Sequence, residues 1–292
     1  MGAKLKKNIL IFGASGAIGN EVYNYLKGFD LNIFGTFKSN KKNKDLIFCD
    51  LDNNDSIIEV IKSTSPDYIL FLSGLKNLQT CSNSLDHAIT ANCLPIKKIS
   101  IACEIFNLNP QFIYLSTDYV FEGNEGSYNY ESDCHPKSNY GLSKYLGEKL
   151  ALEFFKENTI ILRTSAVMIK EKGFLGWLEK NLIDNRKIEI FDNIIFTPTS
   201  SKSLCVFFKE LIEDQYYLNK IKPVVHFSSG IEISKFQFTF RWVKENYPEK
   251  LSLIFPKNID LKDSEFFPNL SICTLQNKNL DNSTIIDMET FM

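Results

Sequence analysis

The feature that most constrains this chain is an alternation running through its first half. Short apolar runs, NILIF (8–12), LNIFGTF (31–37), LIFC (46–49), DYILFL (67–72), QFIYLS (111–116) and TIILR (159–163), are separated by stretches of helical pattern. The runs are short and continuously apolar, as strands covered on both faces are. Helices are expected over 18–27, 55–63, 85–106 and 139–156. Strand and helix alternating in this way imply parallel pairing, because a helix must carry the chain back before the next parallel strand can start. PVVHFS (223–228) reads as one more strand returning to the same sheet. The expected class is α/β, a doubly wound parallel sheet.

The rest is less regular. Residues 170–195 and 229–292 hold helical patches, GFLGWLEKNLI and SKFQFTFRWVKENY among them, between Pro- and Asn-rich stretches. This pattern predicts a smaller, interleaved α/β domain over about 169–195 and 229–292. Residues 1–168, with about 196–228, form the larger domain.

The first strand runs directly into GASGAIG and then a helix, with Gly13, Gly16 and Gly19 at the turn. Glycine lets backbone turn sharply and approach a pyrophosphate, and the helix N-terminus presents free N–H groups. In this strand–turn–helix context the motif points to a Rossmann-type dinucleotide site. Gly13, Ser15, Gly16, Ala17, Ile18 and Gly19 are its expected contacts. The second strand ends in NIFGTFKSNKKNK, with no acid before Asp45 to hold a ribose 2′-hydroxyl. Lys38 and Ser39, with Lys41, could instead meet a 2′-phosphate, so NADP(H) is favoured over NAD(H). A solvated lysine loop is the plain alternative. Asp50 and Leu51, after the third strand, fall where adenine should lie.

Composition excludes several classes. The formal net charge is −2, which argues against a nucleic-acid surface. No apolar run approaches the length of a membrane span. The seven cysteines are scattered without a C-x-x-C pair, which suits free thiols in a reducing compartment and argues against a metal site. A cytoplasmic chain is expected, and the sequence leaves a homodimer open.

Tyrosine and lysine four apart on a helix can act as a proton-transfer pair. The spacing occurs at Tyr23/Lys27, Tyr140/Lys144, Tyr145/Lys149 and Tyr216/Lys220, so spacing alone does not choose. Carbonyl reduction also needs a hydroxyl to polarise the carbonyl oxygen, and doubly wound sheets bind ligands beyond the carboxyl ends of their strands. QFIYLS ends at Ser116 and Thr117, and Tyr140 opens the next helix. Tyr140 and Lys144 are therefore the expected pair, with Thr117 as the polarising hydroxyl.

STDYVFEG (116–123), SYNYESDCHPKSNYGLSKYLGEKL (127–150) and LRTSAV (162–167) resemble the extended short-chain dehydrogenase/reductases, and more narrowly the dTDP-4-dehydrorhamnose reductase group. PDYILFLSG…ANCLP (66–95) and FTPTSSKSL (196–204) fit the same pattern more loosely. The resemblance implies NAD(P)H-dependent reduction of a nucleotide-linked 4-keto-6-deoxy sugar in polysaccharide biosynthesis. It makes Thr117, Tyr140 and Lys144 catalytic, with Lys144 also holding the cofactor ribose and lowering the tyrosine's pKa. Ser116, Asp118, Tyr119, Val120 and Tyr140 would line the sugar site, Ser73 and Gly74 the cofactor, and the smaller domain would grip the nucleotide.

Three departures stand out: Ala166 replaces a common Trp, Phe267-Pro268 an Arg-Pro, and Leu72-Ser73-Gly74 an N-A-A. They make a keto sugar other than the rhamnose precursor equally credible. A nucleotide-sugar epimerase stays open, whereas a dehydratase lacks its Glu, since Tyr119 follows Asp118. A non-catalytic NADP-binding regulator also stays open, because the regulatory subunit of methionine adenosyltransferase resembles the same family. His87, His135 and His226 are isolated, Cys134 has no base partner, and Trp177 and Trp242 read as core residues.

Overall fold

The structure is a computed structural model and describes residues 6–41, 43–214, 218, 221, 223–260 and 267–273. The chain divides into two compact units: one holds residues up to 120, 136–163 and 205–225, the other 121–135, 164–204 and the remainder from 226. Relative to the boundaries expected from sequence, 121–135, 164–168, 196–204 and 226–228 join the second unit. These stretches hold strands of only two residues, such as Val167–Met168 and Thr199–Ser200, too short to announce themselves as periodic runs.

The first unit is built on β1 (Asn8–Phe12), β2 (Asn32–Phe37), β3 (Ile47–Phe48), β4 (Tyr68–Phe71), β5 (Gln111–Thr117) and β6 (Thr159–Thr164). With Val224–Phe227 at one edge, the order is that strand, then β6, β5, β4, β1, β2 and β3, seven in all. β1 lies parallel to both β2 and β4, β2 to β3, and β4 to β5. The seven sequence runs are thus the seven strands. The order reverses between β1 and β4, where a doubly wound sheet opens a crevice beyond its strand ends.

Helices α1 (Ala17–Leu26), α2 (Asn54–Thr64), α4 (Leu85–Asn92), α5 (Leu94–Ile105) and α6 (Asn139–Phe155) flank these strands, with a shorter α3 over Leu78–Asn83. The Asn53 side chain caps α2, accepting from the Asp55 and Ser56 N–H groups. The single helix expected over 85–106 is two. Pro95 has no N–H to donate to Ala91, and the Ile96 N–H, which a continuous helix would give to Asn92, bonds the Cys93 carbonyl at 3.2 Å. The Asn92 carbonyl takes the Tyr114 hydroxyl at 2.9 Å instead.

One face of the sheet, through Leu10, Phe12, Ile69, Phe71, Phe112, Tyr114 and Ile161, packs with Ile57 and Val60 of α2, Ile96 and Ile99 of α5, and Ala151 and Phe155 of α6. α1 buries Val22, Tyr23 and Leu26 and approaches β2 at Gly35, where an added Cβ would lie 2.7 Å from the Tyr23 ring.

The second unit has its own core of Met168, Leu175, Leu178, Leu182, Ile188, Ile190, Phe196, Ile233, Phe238, Trp242, Val243 and Ile254. The helices Gly173–Ile183 and Lys235–Asn246 supply much of it. Ile254–Lys257 pairs in parallel with Ile188–Phe191, and Ile233–Ser234 antiparallel with Ile195–Phe196. Trp242 is core as expected, but Trp177 is not: it is 47% exposed and stacks on Phe174.

Phe112 stacks on Phe155 at 4.1 Å and 7° between ring planes, pinning α6 to β5. Phe112→Ala should cost about 3–5 kcal/mol of stability, read as an earlier transition in urea followed by circular dichroism.

Candidate active site

Beyond the carboxyl end of β1 the chain turns through Gly13, whose φ is +84°, and enters α1 at Gly16. A Cβ on Gly13 would lie 2.7 Å from the backbone of Ser73, just past β4. One on Gly19 would lie 2.1 Å from the Gly13 carbonyl oxygen. The two positions are closed to any side chain, so backbone lies open to a ligand. No side chain caps α1, and its first turn holds no acid. Its uncapped N–H groups and positive dipole end suit a pyrophosphate. The glycine turn and Ser73 therefore meet at the switch point, as the cofactor assignment requires.

Past β2, Lys38 is not a free cation. Its ammonium lies 2.7 Å from the Asp50 carboxylate and 2.6 Å from that of Asp52. These bonds raise the Lys38 pKa and hold the Asp50 carboxyl below its ordinary value. Two groups expected separately from sequence, Lys38 and Asp50, thus meet, with Asp52 as a second carboxylate on the one cation. The missing acid at the end of β2 is replaced from beyond β3, a substitution that only tertiary contact reveals.

Of the three tyrosine–lysine pairs among the described residues, one has a buried lysine: Lys144 is 5% exposed, with Tyr140 half-buried. Lys27 is exposed and pairs with Asp45 at 3.0 Å, and Lys149 is exposed above the Tyr145 ring. Tyr216/Lys220 lies outside the described residues. Tyr140 and Lys144 occupy the start of α6, and the Ser138 hydroxyl caps that helix by accepting from the Gly141 N–H at 3.0 Å. Gly141 is needed there, since a Cβ would lie 2.1 Å from the Tyr119 carbonyl oxygen. That contact sets α6 against the turn Asp118–Val120, and the Tyr119 and Tyr140 rings meet edge to face at 5.7 Å.

Thr117 ends β5 with its hydroxyl donating to Asp118 at 3.0 Å and accepting from the Tyr119 N–H at 3.3 Å. Burial pushes the Tyr140 pKa up, and the Thr117 hydroxyl opposes it. Lys144 moves the other way: burial lowers it to about 7, with Glu148 the chief opposing influence and Cys93 the next. Its ammonium stands 3.9 Å from the centre of the Tyr114 ring. The expected lowering of the tyrosine's pKa by the lysine is thus absent from the causes acting on Tyr140, where desolvation dominates.

Ser116 is not turned toward a sugar site. Its hydroxyl donates to Glu148 at 2.5 Å. Glu148 also accepts from Arg163, at 2.9 Å from Nε and 2.7 Å from Nη2. Behind the helix start, Asn92 bonds the Ser143 hydroxyl at 2.9 Å, and Ser143 bonds the Tyr140 carbonyl. Asn92 also pairs with the backbone of Leu75, beside Gly74, where a Cβ would lie 2.5 Å from the Asn92 side chain.

Tyr114, Asn92, Ser143, Glu148 and Arg163 all escape sequence reading. The one available signal is Glu148 at four residues past Lys144 and a lone Arg in the apolar run TIILR. Among the remaining candidates, His87 and His135 are exposed and Cys134 is half-buried. His226 is buried in the second unit, with Nδ1 3.1 Å from the Tyr128 carbonyl.

The family model described as RmlD substrate binding domain matches residues 7–260. The chain is 26% identical over 198 residues to the spore coat polysaccharide biosynthesis protein SpsK of Bacillus subtilis, covering 67% of this chain and 66% of that protein, so the alignment spans just under two thirds of that relative. It is 23% identical over 246 residues to methionine adenosyltransferase 2 subunit beta of Xenopus tropicalis, covering 80% and 70%. Among solved structures it is similar to dTDP-4-dehydrorhamnose reductase from Bacillus anthracis in complex with NADP, with a TM-score of 0.79 at 21% identity, covering 92% of this chain and 91% of that one. At that identity the likeness shows the fold.

Lys144 titrates near 7 when folded and at its ordinary 10.5 when unfolded, so between those values the unfolded chain binds the extra proton. Its contribution therefore favours folding increasingly as pH rises through that window. Urea denaturation at several pH values should show wild-type stability rising relative to Lys144→Met between about pH 7 and 10. A difference independent of pH would contradict the burial reading.

Proposed function

Because the chain belongs to the RmlD substrate binding domain family, we propose that it reduces the keto group of a nucleotide-linked sugar with NAD(P)H, in the cytoplasm and in the service of polysaccharide synthesis. What supports this reading is that Thr117 ends β5 while Tyr140 and the buried Lys144 open α6 in the unit whose glycine turn suits a dinucleotide.

In this reading Gly13, Ser15, Gly16, Ala17, Ile18 and Gly19 receive the pyrophosphate, and Asp50 and Leu51 border the adenine. Ser73 and Gly74 flank the cofactor beyond β4. NADP(H) is favoured from the likeness to the NADP complex; the Lys38 cluster, already neutralised by two carboxylates, does not itself choose between dinucleotides. When bound, the reduced nicotinamide supplies hydride to a carbonyl carbon. Thr117 donates a hydrogen bond to the carbonyl oxygen, and Tyr140 passes its phenolic proton to the alkoxide that forms. Lys144 holds the ribose hydroxyls and, when charged, stabilises the phenolate. Asp118, Tyr119 and Val120 border the sugar.

The second reading is a non-catalytic NADP-binding regulator, favoured by the similarity to methionine adenosyltransferase 2 subunit beta. Retention of Thr117, Tyr140 and Lys144 supports the enzyme.

The test is NADPH and NADH oxidation against a panel of nucleotide-linked 4-keto-6-deoxy sugars. Turnover is expected, with Tyr140→Phe losing about 10²-fold or more in kcat while still binding dinucleotide. Tight dinucleotide binding with no turnover on any sugar favours the regulator. Gly19→Ala, whose Cβ would sit 2.1 Å from the Gly13 carbonyl oxygen, should lose dinucleotide binding in a fluorescence titration.

A further inference from the structure

The Glu148 carboxylate is 2% exposed and lies one helical turn beyond Lys144. It accepts three hydrogen bonds, from Ser116 at the end of β5 and from two nitrogens of Arg163 on β6. A carboxylate held by three donors, two of them from a guanidinium, cannot swing away. None of the steps above uses it.

Lys144 needs such a group. It is 5% exposed, and an isolated ammonium taken out of water discards its proton unless something opposes the loss. The groups that face it are Glu148 on its own helix, the Tyr114 ring of β5 at 3.9 Å, and the Cys93 thiol at the junction of α4 and α5. Burial pushes the Cys93 pKa up, so that thiol carries no charge at neutral pH. Tyr114 is fully buried and equally uncharged. Arg163 faces Glu148, whose carboxylate it chelates. The one full negative charge acting on Lys144 is therefore Glu148.

We propose that Glu148, clamped by Ser116 and Arg163, is a positioning residue that keeps the buried Lys144 cationic near neutral pH, the form in which it can hold a ribose and face Tyr140. The same clamp ties the end of β5 to α6, so the carboxylate fixes Thr117 in place while setting the charge one turn away. The proposal rests on the reading of Lys144 given above.

The experiment follows the charge directly. Protein carrying ¹³C- and ¹⁵N-labelled lysine is titrated by NMR, with the Lys144 side-chain signal assigned by its loss in Lys144→Met. In Glu148→Gln the midpoint should fall by about one pH unit or more, because removing a buried charge at this range changes the proton affinity by at least that much. Glutamine turns an NH₂ toward an Arg163 donor and can unsettle the fold. Glu148→Gln with Arg163→Met avoids that clash and should show the same fall. The alkaline limb of dinucleotide binding should move to lower pH in step, which a purely structural role for Glu148 would not produce. An unchanged Lys144 midpoint in a folded double variant overturns the proposal. A fall in the midpoint with no sugar ever reduced supports the proposal and removes the reductase reading.

Discussion

The first unit turns on a buried ion pair. Arg163 and Glu148 are 6% and 2% exposed, and their two-pronged contact joins β6 to α6 while Ser116 brings in β5. Burying such charges is expensive, and losing either partner would leave the other stranded, typically at about 3–5 kcal/mol. A hydrophobic replacement could hold these elements together as well. What it could not do is place an ionised carboxylate one turn from Lys144. The pair is better understood as a device for charge and alignment than as a source of stability.

Backbone approach is the second constraint. Around the site an added methyl would force groups apart at Gly13 against Ser73, Gly19 against the Gly13 carbonyl, Gly141 against the Tyr119 carbonyl and Gly147 against the Tyr114 hydroxyl. The first two leave the space at the switch point open. The third brings the start of α6 against the turn after Thr117. The fourth lets the Tyr114 hydroxyl reach the Asn92 carbonyl, which the helix break at Cys93, where the Ile96 N–H bonds Cys93 instead, had left without a helical partner. The ring so held is the one beneath Lys144. One proline, one glycine and one tyrosine together thus shape the floor on which the lysine stands.

Much of this was legible in the sequence, and the boundary is physical. Strands buried on both faces write themselves as continuous apolar runs, so all seven members of the sheet were found, and glycine marks the tight turn by its chemistry. The pair Tyr140/Lys144 could be picked from four because Thr117 ends the neighbouring strand. The break at Cys93 was harder to see, since a proline at the first turn is compatible with a helix that starts there as well as with one that is interrupted. The partners of Ser116 and Lys38 were invisible. Glu148 and Arg163 are 15 residues apart in sequence, and Asp52 reaches Lys38 from 14 residues away. No periodicity records which charged side chains will meet. Trp177 misled because an aromatic in an apolar helix reads as core, whereas its neighbour Phe174 covers only one of its faces.

Two of the three departures from the family pattern, at Ala166 and Phe267-Pro268, fall on the second unit. Phe267 stands where an Arg is common, and it packs on Gly123: a Cβ there would meet its ring at 2.7 Å. Asn269 then bonds the Gly123 carbonyl at 2.8 Å, and the Pro268 carbonyl accepts from Ile195. The Phe267-Pro268 segment is therefore used to bind the loop beginning at Phe121, whose own turn closes on the Tyr128 hydroxyl through three backbone N–H groups. An arginine in that position could offer a cation to a phosphate; a phenylalanine packed against glycine offers shape. At Ala166 the backbone does the visible work, accepting from the Thr199 N–H at 3.0 Å, and the side chain is a single methyl. Both changes remove functional groups that could read a particular ligand and leave the proton-transfer residues untouched. Under the proposed reading, such a distribution fits a change in substrate with the reaction preserved.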